Sequence, residues 1–240
     1  MDPLRSELSI EPVRLGPDAV HMVRRASDLR GLFTDEVALE ELIRSGDPVV
    51  YETYEPPIPK GAGHLAYGLT VLHPGRVGRE YFMTRGHFHL RRETAEVYIP
   101  LRGLGVLVLQ DEGGRCQVED LHPGAVVYVP PGWAHRSVNT GPEPLVFLYV
   151  YPADAGHDYE TVARTGFRVR VFAADAGPQV VPVGRSIGHG STAQRATFAS
   201  RPPGSPHAAG ARPGGPRGGY LPPSMPSGPL PPGCDRLGAG

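Results

Sequence analysis

The 240-residue chain predicts an all-β sandwich or barrel, preceded by a short helix and followed by an irregular tail. Three observations carry the prediction. From Gly63 onward, short runs rich in Val, Leu, Tyr and Phe follow one another at intervals of about ten residues, separated by turn residues. No long helical period interrupts them, which argues against a βαβ fold. Over half of the last forty residues are Pro or Gly, a composition that buries too little apolar surface to offset the entropy of ordering it.

The elements follow in order. Residues 1–26 have scattered apolar positions without a period and are expected to be irregular, with one short strand at most. TDEVALEELIRSG predicts a helix capped by Thr34, with acids in its first turn, apolar Val37, Leu39, Leu42 and Ile43, and Gly46 at its end. Residues 1–48 are thus expected as an N-terminal extension whose helix packs on the barrel. PVVYETYEPP reads as a strand closed by prolines that a central strand would not tolerate. The runs from HLAYGLTVLHPG to LVFLYVYPAD make the body of a catalytic domain spanning 49–183, and TVARTGFRVRVFAAD adds a short helical or turn segment and a closing strand near Phe167 to Phe172. Residues 184–240 are expected to be a disordered tail, removable from about residue 186 without loss of activity.

Composition removes several functions. A formal charge of -1 gives no electrostatic case for a nucleic-acid or membrane partner. Two cysteines, Cys116 and Cys234, make no disulfide framework. Neither a signal-peptide core nor a run of about 20 apolar residues is present, so a cytoplasmic protein is expected. Lys60, the single lysine, lies in PPIPKGAG, outside the strand-to-helix context of a phosphate loop, and Schiff-base chemistry lacks a placed amine.

Chemistry concentrates in TRGHFHLRRETAEVY. On a strand, His87 and His89 share one face, and Glu96 follows seven residues later. Downstream, GAVVYVPPGWAHRSVN carries a valine-rich strand through a Pro-Pro-Gly turn to His135. Three imidazoles and a carboxylate suit a catalytic divalent metal, because such a set can leave coordination positions open. Strand parity puts Arg85 on the face of His87 and Thr84 on the other, unless Gly86 marks a bulge. Tyr128 and Tyr149 read as core aromatics, and no nucleophilic role is expected of Cys116, with no base near it in sequence.

Gly124, Pro130, Gly132, His135 and Asn139 match the second cupin motif at each spacing, and Glu96 to Gly103 match the end of the first. The domain therefore resembles a cupin, a double-stranded β-helix. In the general cupin form the glutamate stands nearer the histidine pair; Glu93 occupies that position and is the alternative ligand. The longer gap, with YFMTRGHFHLRRETAEVY, YVPPGWAHRSVNTG and YPADAGHDY, is similar to the cupin-type glucose-6-phosphate isomerases of archaea and some bacteria, over about Val49 to Phe172. The resemblance implies metal ligands His87, His89, Glu96 and His135. It also implies a sugar-phosphate pocket at Tyr51, Thr70, Thr84, Gly86, Tyr98, Tyr151, His157 and Tyr159, and a homodimer using ferrous or another divalent ion (Mn2+, Ni2+ or Zn2+). Pro100, in EVYIPLRG, is expected to bend the strand leaving the site.

Aldose–ketose isomerisation needs charge stabilisation on the sugar oxygens and a base near C1 and C2. Glu96 is the expected base, with desolvation raising its pKa and adjacent cations lowering it. The phosphate would be held by hydroxyls of Tyr51, Thr70, Thr84 and Tyr98 and by the N–H of Gly86. Alternatives are a mannose 6-phosphate isomerase or epimerase, an iron oxygenase on the same ligands, and a sugar-phosphate-binding protein without turnover.

Overall fold

The alternation along Leu65–Leu72 decides how the fold is layered. Leu69 and Val71 point outward, where they join Leu15 and Val146 in one apolar cluster. Thr70 and Gly68 point inward. The outer cluster is closed by a small antiparallel hairpin, Leu8–Ile10 with Val13–Leu15, so this strand is buried on both faces. Burial of Leu15 alone stabilises the arrangement by about 2 kcal/mol. This computed structural model describes residues 4–183 and 234–235.

Around that strand an antiparallel sheet runs in the order Val127–Val129, Glu96–Arg102, Leu145–Pro152, Leu65–Leu72, Val49–Glu55 and Val20–Arg25. A second sheet orders Trp133–Asn139, Gly105–Asp111, Cys116–Leu121 and Cys234–Asp235. Side chains of both sheets line one pocket. The all-β cupin architecture expected from the motifs is thus the architecture found. A third sheet, made by Gly177–Pro182, Val169–Ala174, Glu80–Tyr81 and Arg76–Val77, includes the expected closing strand and a hairpin partner for it.

The N-terminal region departs from expectation. Residues 1–26 hold three strands, and Val20–Arg25 pairs with Val49–Glu55, carrying the sheet across the expected boundary at residue 48. The strand at Val49–Glu55 therefore has neighbours on both sides. Its prolines lie just beyond it, at Pro56 and Pro57, where they do not interrupt the ladder. The helix spans Glu36–Arg44 and its cap is Asp35, which accepts from the Ala38 N–H, rather than Thr34. Thr34 instead donates both its N–H and its hydroxyl to the buried carboxylate of Glu80, which Arg170 pairs at 2.7 Å.

The expected disordered tail falls on residues outside those described, apart from Cys234–Asp235, whose backbone pairs in parallel with Cys116–Gln117. Tyr128, expected in the core, is 58% exposed, because Val127 and Val129 take the inward face of their short strand. The bend expected from Pro100 is present as a register shift opposite Val146 and Phe147. It falls beyond Tyr98, which stays in register with both Tyr149 and Val127. Pro100 also lies past the last residue paired to Val127–Val129, where the strand is an edge on that side.

Candidate metal centre and sugar-phosphate pocket

His87, His89, Glu96 and His135 converge, each offering a ligand atom within 4.8 Å of all the others. Three separate pairings bring them there. His87 forms a backbone bridge with His135, through N–H to O contacts of 3.3 and 3.1 Å. Phe88–His89 pairs with His157–Asp158, which sets His157 opposite His89. Glu96 opens its strand directly opposite Val129. Glu93, the alternative ligand, points to solvent and accepts from Arg91, so it takes no part.

Hydrogen bonds fix which nitrogen each imidazole turns inward. The Thr94 hydroxyl donates to the Arg91 carbonyl at 2.6 Å, so it accepts from His89 Nδ1–H at 2.8 Å. Nε2 of His89 then carries a lone pair directed to the cluster. His135 Nδ1 faces the Trp133 carbonyl at 3.4 Å, which orients its ring the same way. Nε2 of His87 and of His135 are buried without a hydrogen-bond partner, although the latter lies 3.0 Å from Glu96 Oε2. Buried nitrogens left unpaired around a carboxylate are costly unless something binds them, and this donor set fits a divalent ion.

Electrostatics around Glu96 settle the competition anticipated from the sequence. Burial pushes its pKa up, but the His135 and His89 imidazoles, whose Nε2 atoms lie 3.0 and 3.1 Å from its Oε2, hold it down, at about 2. Glu96 is therefore ionised. Burial, reinforced by the neighbouring histidines, lowers His87 well below the usual imidazole range. Tyr98, Tyr149 and Tyr151 are all raised by burial and by nearby carboxylates, so they remain neutral donors.

The cluster opens on a pocket of about 660 Å³, mouth included, of a size that holds small ligands. All eight positions expected to meet a sugar phosphate line it: Tyr51, Thr70, Thr84, Gly86, Tyr98, Tyr151, His157 and Tyr159. Thr84, Arg85, Gly86 and His87 all do so in succession. A strand cannot point four consecutive side chains one way, and the departure is at Gly86, whose φ is +73°. His157 and Tyr159 stand exposed at the mouth. One face of His157 packs against His87 at 4.4 Å, and this loss of solvent, with the nearby histidines, lowers its pKa despite the pull of Glu96.

Sequence reasoning missed Glu55, which accepts from the hydroxyls of Tyr149 at 3.0 Å and Tyr151 at 3.2 Å, and it placed Tyr149 in the core rather than the pocket. The signal for Glu55 was present, since Tyr51, Thr53 and Glu55 alternate on one strand face. Arg85, absent from the expected pocket positions, lines the pocket as well, with its guanidinium 5.3 Å from the Tyr159 ring centroid. No sequence pattern announced Arg136, whose buried guanidinium holds the Arg85 carbonyl at 2.7 Å.

Residues 23–181 match the family described as glucose-6-phosphate isomerase (GPI). A glucose-6-phosphate isomerase of Pyrococcus abyssi is 48% identical over 165 residues, which is 69% of this chain and 87% of that protein. That of Pyrococcus horikoshii is 51% identical over 163 residues, 68% of this chain and 86% of its own. For the Thermococcus gammatolerans protein the values are 52% over 151 residues, 63% and 79%.

Proposed function

The chain belongs to the glucose-6-phosphate isomerase family, and from that premise we propose that it interconverts glucose 6-phosphate and fructose 6-phosphate, a step shared by glycolysis and gluconeogenesis. The observation that carries the proposal is the cluster of half-buried His87 with buried His89, Glu96 and His135 in a pocket that every expected sugar-phosphate position lines.

These four residues would hold one divalent ion. Ferrous iron is the first choice, with Mn2+, Ni2+ and Zn2+ as alternatives that the same nitrogen and oxygen donors accept. A bound ion supplies Lewis acidity that stabilises negative charge on the sugar oxygens. Hydroxyls of Tyr51, Thr70 and Thr84 and the N–H of Gly86 take the phosphate, and Arg85 adds positive charge at that end. Tyr98 and Tyr151, neutral donors beside Glu96, orient the C1–C2 end. Glu96, ionised at neutral pH, accepts the proton from one carbon, leaving an enediolate, and returns it to the next. His157 at the mouth moves the proton between the two oxygens. The protein is further proposed to act in the cytoplasm as a homodimer, on the family resemblance.

The test is fructose 6-phosphate in D2O with ferrous or manganous ion, followed by NMR beside a sample treated with EDTA. Glucose 6-phosphate formed only with metal, and deuterated at C2, is the expected result. Product without deuterium would leave Glu96 as a ligand alone, the hydrogen passing directly between carbons. No product with any metal would overturn the isomerase reading.

A further inference from the structure

Charge is laid out along the pocket in one direction. On the strand Val49–Glu55, residues Tyr51, Thr53 and Glu55 share the pocket face and span about 13 Å. At the first end, Arg24 lies directly across from Tyr51, and the positive charges of Arg24 and Arg85 both act on the Tyr51 hydroxyl. The middle is uncharged: Met22, Thr53, Thr70 and Phe147 are paired in successive strands. At the far end Glu55 sits with Tyr149 and Tyr151, next to the cluster around Glu96. Glu55 has no ion-pair partner among the described residues, and Lys60, whose charge reaches His157, is exposed. The Tyr149 and Tyr151 hydroxyls hold the carboxylate in place without neutralising it.

We propose that Glu55 is a specificity-determining residue that excludes a second anionic group at the end of the sugar opposite its phosphate. The inference rests on the proposed sugar-phosphate function. A divalent ion held by three neutral imidazoles and Glu96 leaves a net charge of about +1. Such a site alone would attract any anion. Glu55 brings that end to neutrality, matching the uncharged aldehyde or ketone end of a hexose monophosphate. A hexose bisphosphate would bring its second dianion directly against the Glu55 carboxylate in a partly desolvated pocket, where losing the attraction of the +1 site to a repulsion at about 6 Å is worth on the order of tenfold to a hundredfold in affinity.

The experiment is calorimetric binding of fructose 6-phosphate and fructose 1,6-bisphosphate to the metal-loaded full chain, for wild type, Glu55→Gln and Glu55→Asp. Gln keeps an acceptor for the tyrosines and removes the charge; Asp keeps the charge. The expected result is that the ratio of bisphosphate to monophosphate Kd falls at least about tenfold in Glu55→Gln and stays near the wild-type value in Glu55→Asp. A ratio unchanged in Glu55→Gln, with monophosphate still bound, overturns this role alone. Binding of neither sugar to wild type overturns the proposed function and this role with it.

Discussion

Gly86→Ala tests whether the turn between Arg85 and His87 is what brings the ligands together. The backbone at Gly86 has φ +73°, where a Cβ costs about 1–2 kcal/mol. A methyl there would also stand 2.8 Å from Phe167 Cε2, 3.0 Å from Arg136 Cβ and 3.1 Å from the His135 carbonyl oxygen. The last is backbone, and it is the oxygen to which His87 donates. Overpacking of this kind adds about 1–3 kcal/mol, for a total of about 2–5 kcal/mol, or a fall in Tm on the order of 10 °C in a chain of this size. Because the displaced segments carry His87 and His135, a shift of about 1 Å should cost roughly a hundredfold in kcat and weaken metal binding about tenfold. Gly132→Ala is the control. It has a similar φ of +80° with nothing within 4 Å of the new methyl, so it should bear the strain and keep its metal. Thermal unfolding by circular dichroism and metal competition with a chromophoric chelator measure both effects. Equal destabilisation of the two variants, with metal affinity intact in each, would refute the reasoning.

Other outcomes follow from the same geometry. Glu96→Gln removes the charge that faces His89 and His135, and metal content after dialysis should fall with activity by at least about a hundredfold; a metal-replete, active variant would remove Glu96 from the ligand set. In chelated protein, Glu96 at about 2 against an ordinary 4.5 stabilises the fold above pH 4.5, on the order of 3 kcal/mol, and that contribution is lost as pH falls through 2. His87, depressed below 6.5, acts in the same direction: below pH 6.5 the unfolded chain takes up a proton that the folded chain refuses. Urea unfolding across pH should therefore show stability declining steadily on the acid side, and a rise there would contradict both assignments. Asp158→Ala removes the cap that accepts from Thr161 N–H and the partner of Arg92, both of which hold the segment bearing His157 and Tyr159. It should cost about 1 kcal/mol and raise KM; an unchanged KM would mean that the mouth residues do not depend on this cap.

What the sequence made legible was whatever a short motif encodes. The spacing of His87, His89, Glu96 and His135 named the cluster that the fold assembles. Period-two runs announced the sheets, because one buried face per strand leaves that trace. Residues 8–25 hid their strands for the opposite reason: Leu15 and Val13 bury against an outer sheet face while Val20 and Met22 stay exposed, so no simple alternation is written there. Thr34 and Asp35 both qualify as caps by type, and only the distant Glu80 decides between them by engaging Thr34. Glu55 escaped notice because its partners, Tyr149 and Tyr151, are about ninety residues away and meet it only through the sheet order. Strand parity set Thr84 on the face away from His87, and the turn at Gly86 suspends that parity, so Thr84 and Arg85 both line the pocket.

The most direct test of the central claim is a metal titration. Purified protein, stripped with EDTA, is given ferrous ion stepwise while glucose 6-phosphate formation from fructose 6-phosphate is followed and metal is counted per chain. The account predicts no turnover in the stripped protein and activity rising linearly to a plateau at about one ion per chain, abolished in His135→Ala. Full activity in protein shown to be free of metal would contradict it.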